Sequence, residues 1–158
     1  MEGFELRDFT DGDLDWVLAA MVESLSATLT PERLAIAEPA ALLADARKDF
    51  DRFHYNAQKP EKAYVAWRNG ERIGFVWVTM DMPVHEDEHS AWLLDVYVVP
   101  ELRRRGLAAE LMTRAEAWAV AQGAKDLWLN VGGGNLKALS LYESRGFKVE
   151  TMHLCKKL

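Results

Sequence analysis

Nine consecutive residues, Ala91 to Val99 (AWLLDVYVV), are apolar at every position except Asp95, and Pro100 ends the run. A stretch of this length, rich in β-branched and aromatic residues, predicts a strand buried on both faces. Strands of that kind lie in sheets that helices cover on either side. From Gly106 the apolar period becomes helical: Leu107, Ala108, Leu111, Met112, Ala115, Trp118 and Ala119 share one face, and Gly123 closes the pattern. DLWLNV (126–131) is strand-like again. A helix joining two strands of one sheet in this way predicts a parallel pair with a right-handed crossover.

The rest of the chain fits around that unit. FELRDF (4–9) predicts a strand with Phe4 and Leu6 inward. Leu14, Val17, Leu18, Met21 and Leu25 recur at helical spacing behind Thr10 or Asp11 as cap. A second helical pattern runs from about Glu38, with Leu42, Leu43, Ala46, Phe50 and Phe53 on one face. AYVAW (63–67) and RIGFVWVTM (72–80) flank Asn69-Gly70, a hairpin signal because both residues tolerate positive φ. A helix over 135–145 ends at Gly146, and FKVETMHLCKKL predicts one or two closing strands. The expectation is an α/β (α+β) fold with a mixed, largely antiparallel sheet and helices on both faces, in one domain spanning 1–158 without a dividing linker.

Against this frame the run Arg103-Arg104-Arg105 is anomalous. The chain carries 25 acidic and 19 basic residues, a net charge of −6, and a helix start favours acidic side chains over basic ones. Two readings are open. The run is a solvated basic turn, or it serves an anion held on the unpaired N–H groups of the helix start, which Gly106, Ala108 and Ala109 leave accessible. The net charge argues against nucleic acid and anionic membrane as partners, and no apolar run approaches the roughly 20 residues of a membrane span. The first residues show no basic segment followed by an apolar one, as a secretion signal would. Cys155 is the only cysteine, which excludes an internal disulfide and makes a cytoplasmic location the simplest expectation. Neither the P-loop pattern nor G-x-G-x-x-G is present, and Gly132-Gly133-Gly134 predicts a flexible turn. His85 and His89 stand four apart around Glu86, Asp87 and Glu88, but Pro83 places them in a loop, so no metal is expected.

Two segments carry a family resemblance. VVPELRRRGLAAELM resembles motif A of the GCN5-related N-acetyltransferases (GNAT family) in the form R-x-x-G-x-A, with Arg103, Gly106 and Ala108 at the fixed positions. Behind it, LNVGGGNLKALSLYESRGF resembles the family's L-x-V-x-x-x-N-x-x-A-x-x-L-Y-E-x-x-G-F, here Leu129, Val131, Asn135, Ala138, Leu141, Tyr142, Glu143, Gly146 and Phe147. The likeness is sharp over 91–150 and topological before it. It implies acetyl-CoA as cofactor, with the pantetheine arm along Val96, Tyr97 and Val98 and bonded to the backbone of Val96 and Val98. It places the pyrophosphate on Arg104, Arg105, Gly106, Leu107, Ala108 and Ala109, beside Arg103. It further implies that Asn135 binds cofactor, a role compatible with capping the next helix, and that Tyr142 protonates the leaving thiolate. A Tyr merely packed on its helix is the competing reading.

The implied activity is transfer of acetyl to a primary amine, the acceptor being a small molecule or peptide. Relatives that acetylate protein N-termini carry a Glu at the position of Asn130, and Asn accepts no proton. That departure leaves Asp95, ahead of His85 and His89, as candidate base acting through water, against the alternative of a structural hydrogen bond or ion pair for Asp95. It also keeps open a non-catalytic acyl-CoA-binding module on the same fold. The acidic 85–89 connection is either a solvated loop or a rim attracting a cationic amine. A homodimer is left open.

Overall fold

The computed structural model describes residues 3–82 and 89–156. Five strands form one sheet in the order β1 (Glu5–Asp8), β2 (Glu61–Arg68), β3 (Glu71–Thr79), β4 (Ser90–Val98) and β5 (Asp126–Leu129). The first three pairings are antiparallel and the β4–β5 pairing is parallel, giving the mixed sheet expected. Asn69 and Gly70 both have positive φ, at 53° and 80°, and turn β2 into β3 as their dipeptide predicts.

Helices cover both faces. Between β1 and β2 lie α1 (Leu14–Thr28), the single turn α2 (Pro31–Leu34) and α3 (Pro39–Phe50), whose end widens into a π-type turn over Asp51–Tyr55. On one face, Val17, Leu18 and Met21 of α1 and Ala46 and Phe50 of α3 bury against Val65, Phe75, Trp77 and Tyr97. On the other, Leu107, Leu111, Met112 and Ala115 of α4 (Leu107–Ala121) bury against Val76, Val78, Leu93 and Val98. Val76 and Val78 thus alternate with Phe75 and Trp77 between the two cores, as the two-residue period of a strand dictates. Gly74 lets α4 approach, because a Cβ there would lie 2.7 Å from the Tyr97 carbonyl oxygen and 3.2 Å from Leu111.

Three local expectations are corrected. Leu43 faces solvent at 47% exposure, since α3 turns Ala46 and Phe50 inward and Leu43 falls beside that stripe. The turn α2 was not anticipated; Thr30 caps it by accepting from the Arg33 N–H, with Pro31 in its first turn. Residues 147–156 form no strand. The apolar alternation of Phe147 and Val149 loses phase before Met152 and Leu154, and the last three of these stand exposed.

Candidate active site

β4 and β5 pair only from Ser90↔Asp126 to Leu93↔Leu129. Beyond Leu93 the strands part, and β4 continues alone on that side to Val98, leaving a wedge. At the closed end Trp92 and Trp128 stack with ring centroids 5.9 Å apart, and both indole nitrogens are buried without a hydrogen-bond partner among the described residues.

The register on the opposite edge fixes which groups face the wedge. Val99 donates to the Ile73 carbonyl at 3.1 Å, so by strand alternation Tyr97 also turns its backbone groups to β3, and those of Val96 and Val98 point into the opening. Two of these four groups are engaged. The Val96 N–H donates to the Asp95 carboxylate, and the Val98 carbonyl accepts from Arg103 Nε at 2.8 Å. The Val96 carbonyl and the Val98 N–H remain directed at the wedge.

Asp95 stands where β4 bulges: Trp77 faces Asp95 and Val78 faces Leu93, so Leu94 is the extra residue. A bulge re-aims the side chain beside it. Asp95 is half-buried, and this burial pushes its carboxyl up to about 7, although the Ser24 hydroxyl and the Val96 N–H pull it back. Tyr142 on α5 (Leu136–Ser144) is half-buried and meets Phe147 edge-on at 5.9 Å. Burial first, and the charge of Asp95 second, push its hydroxyl up to about 12. Asp95 and Tyr142, singled out separately in the sequence, therefore lie within electrostatic reach of each other.

At the outer end of β4 the chain makes two left-handed residues, Arg104 (φ 62°) and Gly106 (φ 87°), and Gly106 starts α4. A Cβ built on Gly106 meets nothing within 4 Å, so the helix start is open. Its first N–H groups and the turn preceding them form an anion-binding concavity of the kind that cradles phosphate. Arg104 and Arg105 are exposed. Arg103 instead turns back onto the sheet: its Nη2 donates to Glu23, its Nε to Val98, and its guanidinium lies 5.5 Å over the Tyr97 ring. Its charge is thus committed to the protein. Leu107 is buried beneath α4, while Ala108 and Ala109 are half-buried at its start. Asn135 caps α5, its side chain accepting from the Ala138 N–H at 3.2 Å. Asn130 is exposed just beyond β5.

Two residues unremarked in the sequence complete the enclosure. Glu23 accepts from Tyr97 Oη at 2.6 Å as well as from Arg103. Burial raises its pKa, but these two donors outweigh that and hold it below the usual range. Ser24 follows it on α1 and draws the Asp95 pKa down against burial. Five residues from Glu23, Thr28 rests against Gly132, where any Cβ would be 2.7 Å from the Thr28 carbonyl oxygen. The last turns of α1 thus cross from β4 to the loop after β5. Neither Glu23 nor Ser24 carries a sequence signal, since polar residues late in an amphipathic helix look like its solvent face. His85, Glu86, Asp87 and Glu88 lie outside the described residues, and His89 is exposed. No group of three metal-ligating side chains occurs among the described residues, and no helix among them is long and apolar enough to cross a membrane.

Solved structures share this architecture. PaiA N-acetyltransferase from Thermoplasma acidophilum, in complex with coenzyme A, superposes with a TM-score of 0.72 at 22% identity, covering 96% of this chain and 93% of that one. The aminoglycoside N-acetyltransferase AAC(6')-Iy in complex with CoA gives 0.69 at 18% identity, covering 98% and 94%. At such identities the likeness is one of fold. In sequence, an uncharacterized N-acetyltransferase of Bacillus subtilis, YhfO, is 36% identical over 93 residues, 58% of this chain and 62% of that relative's length. Residues 22–147 match the Acetyltransferase (GNAT) family, a span that holds the wedge, the left-handed turn and Tyr142 together, and the chain accordingly belongs to that family.

Proposed function

We propose that the protein is an acetyl-CoA-dependent N-acetyltransferase that acts on a primary amine by direct attack on the thioester. One observation carries this reading: β5 leaves β4 after Leu93, in a chain where Asp95, just beyond that point on β4, lies within electrostatic reach of Tyr142. The fit to acetyl-CoA rests on the chain's own groups. The Val96 carbonyl and Val98 N–H can bond an extended amide-bearing arm as an extra strand would. The N–H groups of 104–109, with Arg104 and Arg105 beside them, suit a pyrophosphate. When bound, the cofactor supplies an activated acetyl group.

In this reading Asp95 accepts the proton that the amine must lose. A free alkyl amine has a pKa of roughly 10.4 and is cationic at neutral pH, so a carboxylate of pKa about 7 both attracts it and is ionised often enough to relieve it of a proton. Asn130 has no such capacity. Tyr142, held protonated up to about 12, donates from its hydroxyl to the departing sulfur. The balance closes: the amine nitrogen gains the acetyl group and loses a proton, and the thiolate leaves and is protonated. The name of AAC(6')-Iy supports amine acceptors on this fold, and the acidic segment 85–89 favours a cationic one.

The test is CoA release from acetyl-CoA, measured by thiol titration against a broad panel of amines. Amine-dependent release that Tyr142→Phe and Asp95→Asn both depress supports the reading. CoA binding without release for any amine would replace it with the non-catalytic acyl-CoA-binding module.

A further inference from the structure

We propose that Arg145 is a positioning residue for the reaction: by gripping Glu116 and Thr113 of α4 it fixes the turn to which Tyr142 is bonded, and so sets where the acid stands. The inference rests on the acetyltransferase reading given above and adds a residue and a task to it. The family pattern leaves position 145 open between Glu143 and Gly146, so the resemblance gives Arg145 no role.

α5 is otherwise lightly held. It has nine residues and buries none of its side chains fully. Leu141, Tyr142 and Phe147 pack against the core beneath α4, but only as partly buried side chains. Apolar contacts of this kind are non-directional, so they keep a short helix on a surface without fixing its rotation.

Arg145 supplies the direction. Its Nε donates to Glu116 Oε1 at 3.1 Å, and its Nη2 donates to both Glu116 carboxylate oxygens at 2.8 Å and to Thr113 Oγ1 at 3.0 Å. The Arg145 and Glu116 side chains are only 20% and 35% exposed, so water competes weakly for the pair. A planar guanidinium fork seated on a carboxylate tolerates little rotation. The same turn is bonded to Tyr142 itself. The Tyr142 carbonyl accepts from the Arg145 N–H at 3.0 Å and from the Phe147 N–H at 3.1 Å, and the Phe147 ring meets the Tyr142 ring edge-on. Backbone and ring of Tyr142 are thus tied to the turn at 145–147, and Arg145 ties that turn to α4.

α4 is also the helix whose start offers the phosphate site. Thr113 donates to the Ala109 carbonyl at 3.0 Å while accepting from Arg145. A continuous chain of hydrogen bonds therefore runs from the 104–109 segment to the turn that holds the acid. One helix places both the anionic end of the cofactor and Tyr142. Removing the fork should leave the phosphate site intact and loosen the acid alone.

The experiment compares the full-chain parent with Arg145→Met, Tyr142→Phe and the double variant. It measures the single-turnover rate of acetyl transfer to the fastest amine of the panel above, and CoA affinity by calorimetry. Arg145→Met keeps an apolar stem and removes the fork. It should lower the rate about tenfold to hundredfold, the loss that a misplacement of about 1 Å brings, with CoA affinity unchanged. In the Tyr142→Phe background the same substitution should cost nothing further, because the group it positions is gone. Glu116→Gln, which weakens the same bonds from the α4 side, should reproduce both results and decides the matter where Arg145→Met does not fold. A parental rate in folded Arg145→Met overturns the proposal, as does a rate loss that persists in the Tyr142→Phe background or a matching loss of CoA affinity. The two readings fail separately. A parental rate in Tyr142→Phe removes Tyr142 as the acid, whereas a depressed rate there with a further loss from Arg145→Met removes only the role of Arg145.

Discussion

Burial raises the pKa of both Asp95 and Tyr142, and the effect on stability is carried by the carboxyl. A folded-state pKa near 7, against an unfolded value near 3.8, means that the folded protein holds the Asp95 proton more tightly. Asp95 therefore imposes no penalty below about pH 4, and stability falls as pH rises through the window up to about 7. Asp95→Asn should flatten this slope, leaving the variant more stable than the parent at pH 8 and similar to it at pH 4, as chemical denaturation at the two pH values will show. Its kcat/KM should fall at every pH. Tyr142→Phe removes only a hydroxyl and keeps the ring against Phe147. It should lower kcat by about 10²–10⁴-fold with little change in acetyl-CoA affinity, provided that chemistry limits turnover. Unchanged turnover under that condition would return Tyr142 to a packing role.

Among the elements, the turn from β4 into α4 is the most demanding of its sequence. Gly106 at φ 87° occupies a conformation that a β-branched residue adopts poorly, although space around it is open. Gly106→Val should cost about 1–2 kcal/mol of stability from backbone strain and weaken CoA binding at least tenfold by calorimetry; parental affinity would remove the 104–109 segment as the phosphate site. This unit was legible in the sequence because period and punctuation agree: an apolar run, Pro100, small residues, then a helical stripe. Asn135 was legible as a cap for the same reason. The roof over the wedge was not. Glu23 acts through a partner 74 positions away on β4, and no local pattern distinguishes it from a solvated helix residue. The strand pattern of 147–156 misled because it lacks one consistent face, and Leu43 because a helical stripe admits one apolar residue too many.

At the scale of the whole molecule, the wedge, the left-handed turn and the end of α1 lie on one side of the sheet's rim, so one ligand can touch elements far apart in the chain. CoA should therefore protect the entire fold. Binding to the folded state alone adds roughly 2.7 kcal/mol at a hundredfold excess over Kd, which for a chain of this size raises Tm by about 5–11 °C. Scanning calorimetry with and without CoA checks this, and no shift at saturation would exclude the site. The parting of β4 from β5 has another consequence. An unpaired stretch of strand between two apolar cores is the kind of surface on which foreign strands add. Arg103 on the Val98 carbonyl and Asp95 on the Val96 N–H blunt that edge while no ligand covers it. Arg103→Ala, which uncovers the Val98 carbonyl, should therefore scatter more light on mild heating than the parent, a difference that added CoA erases.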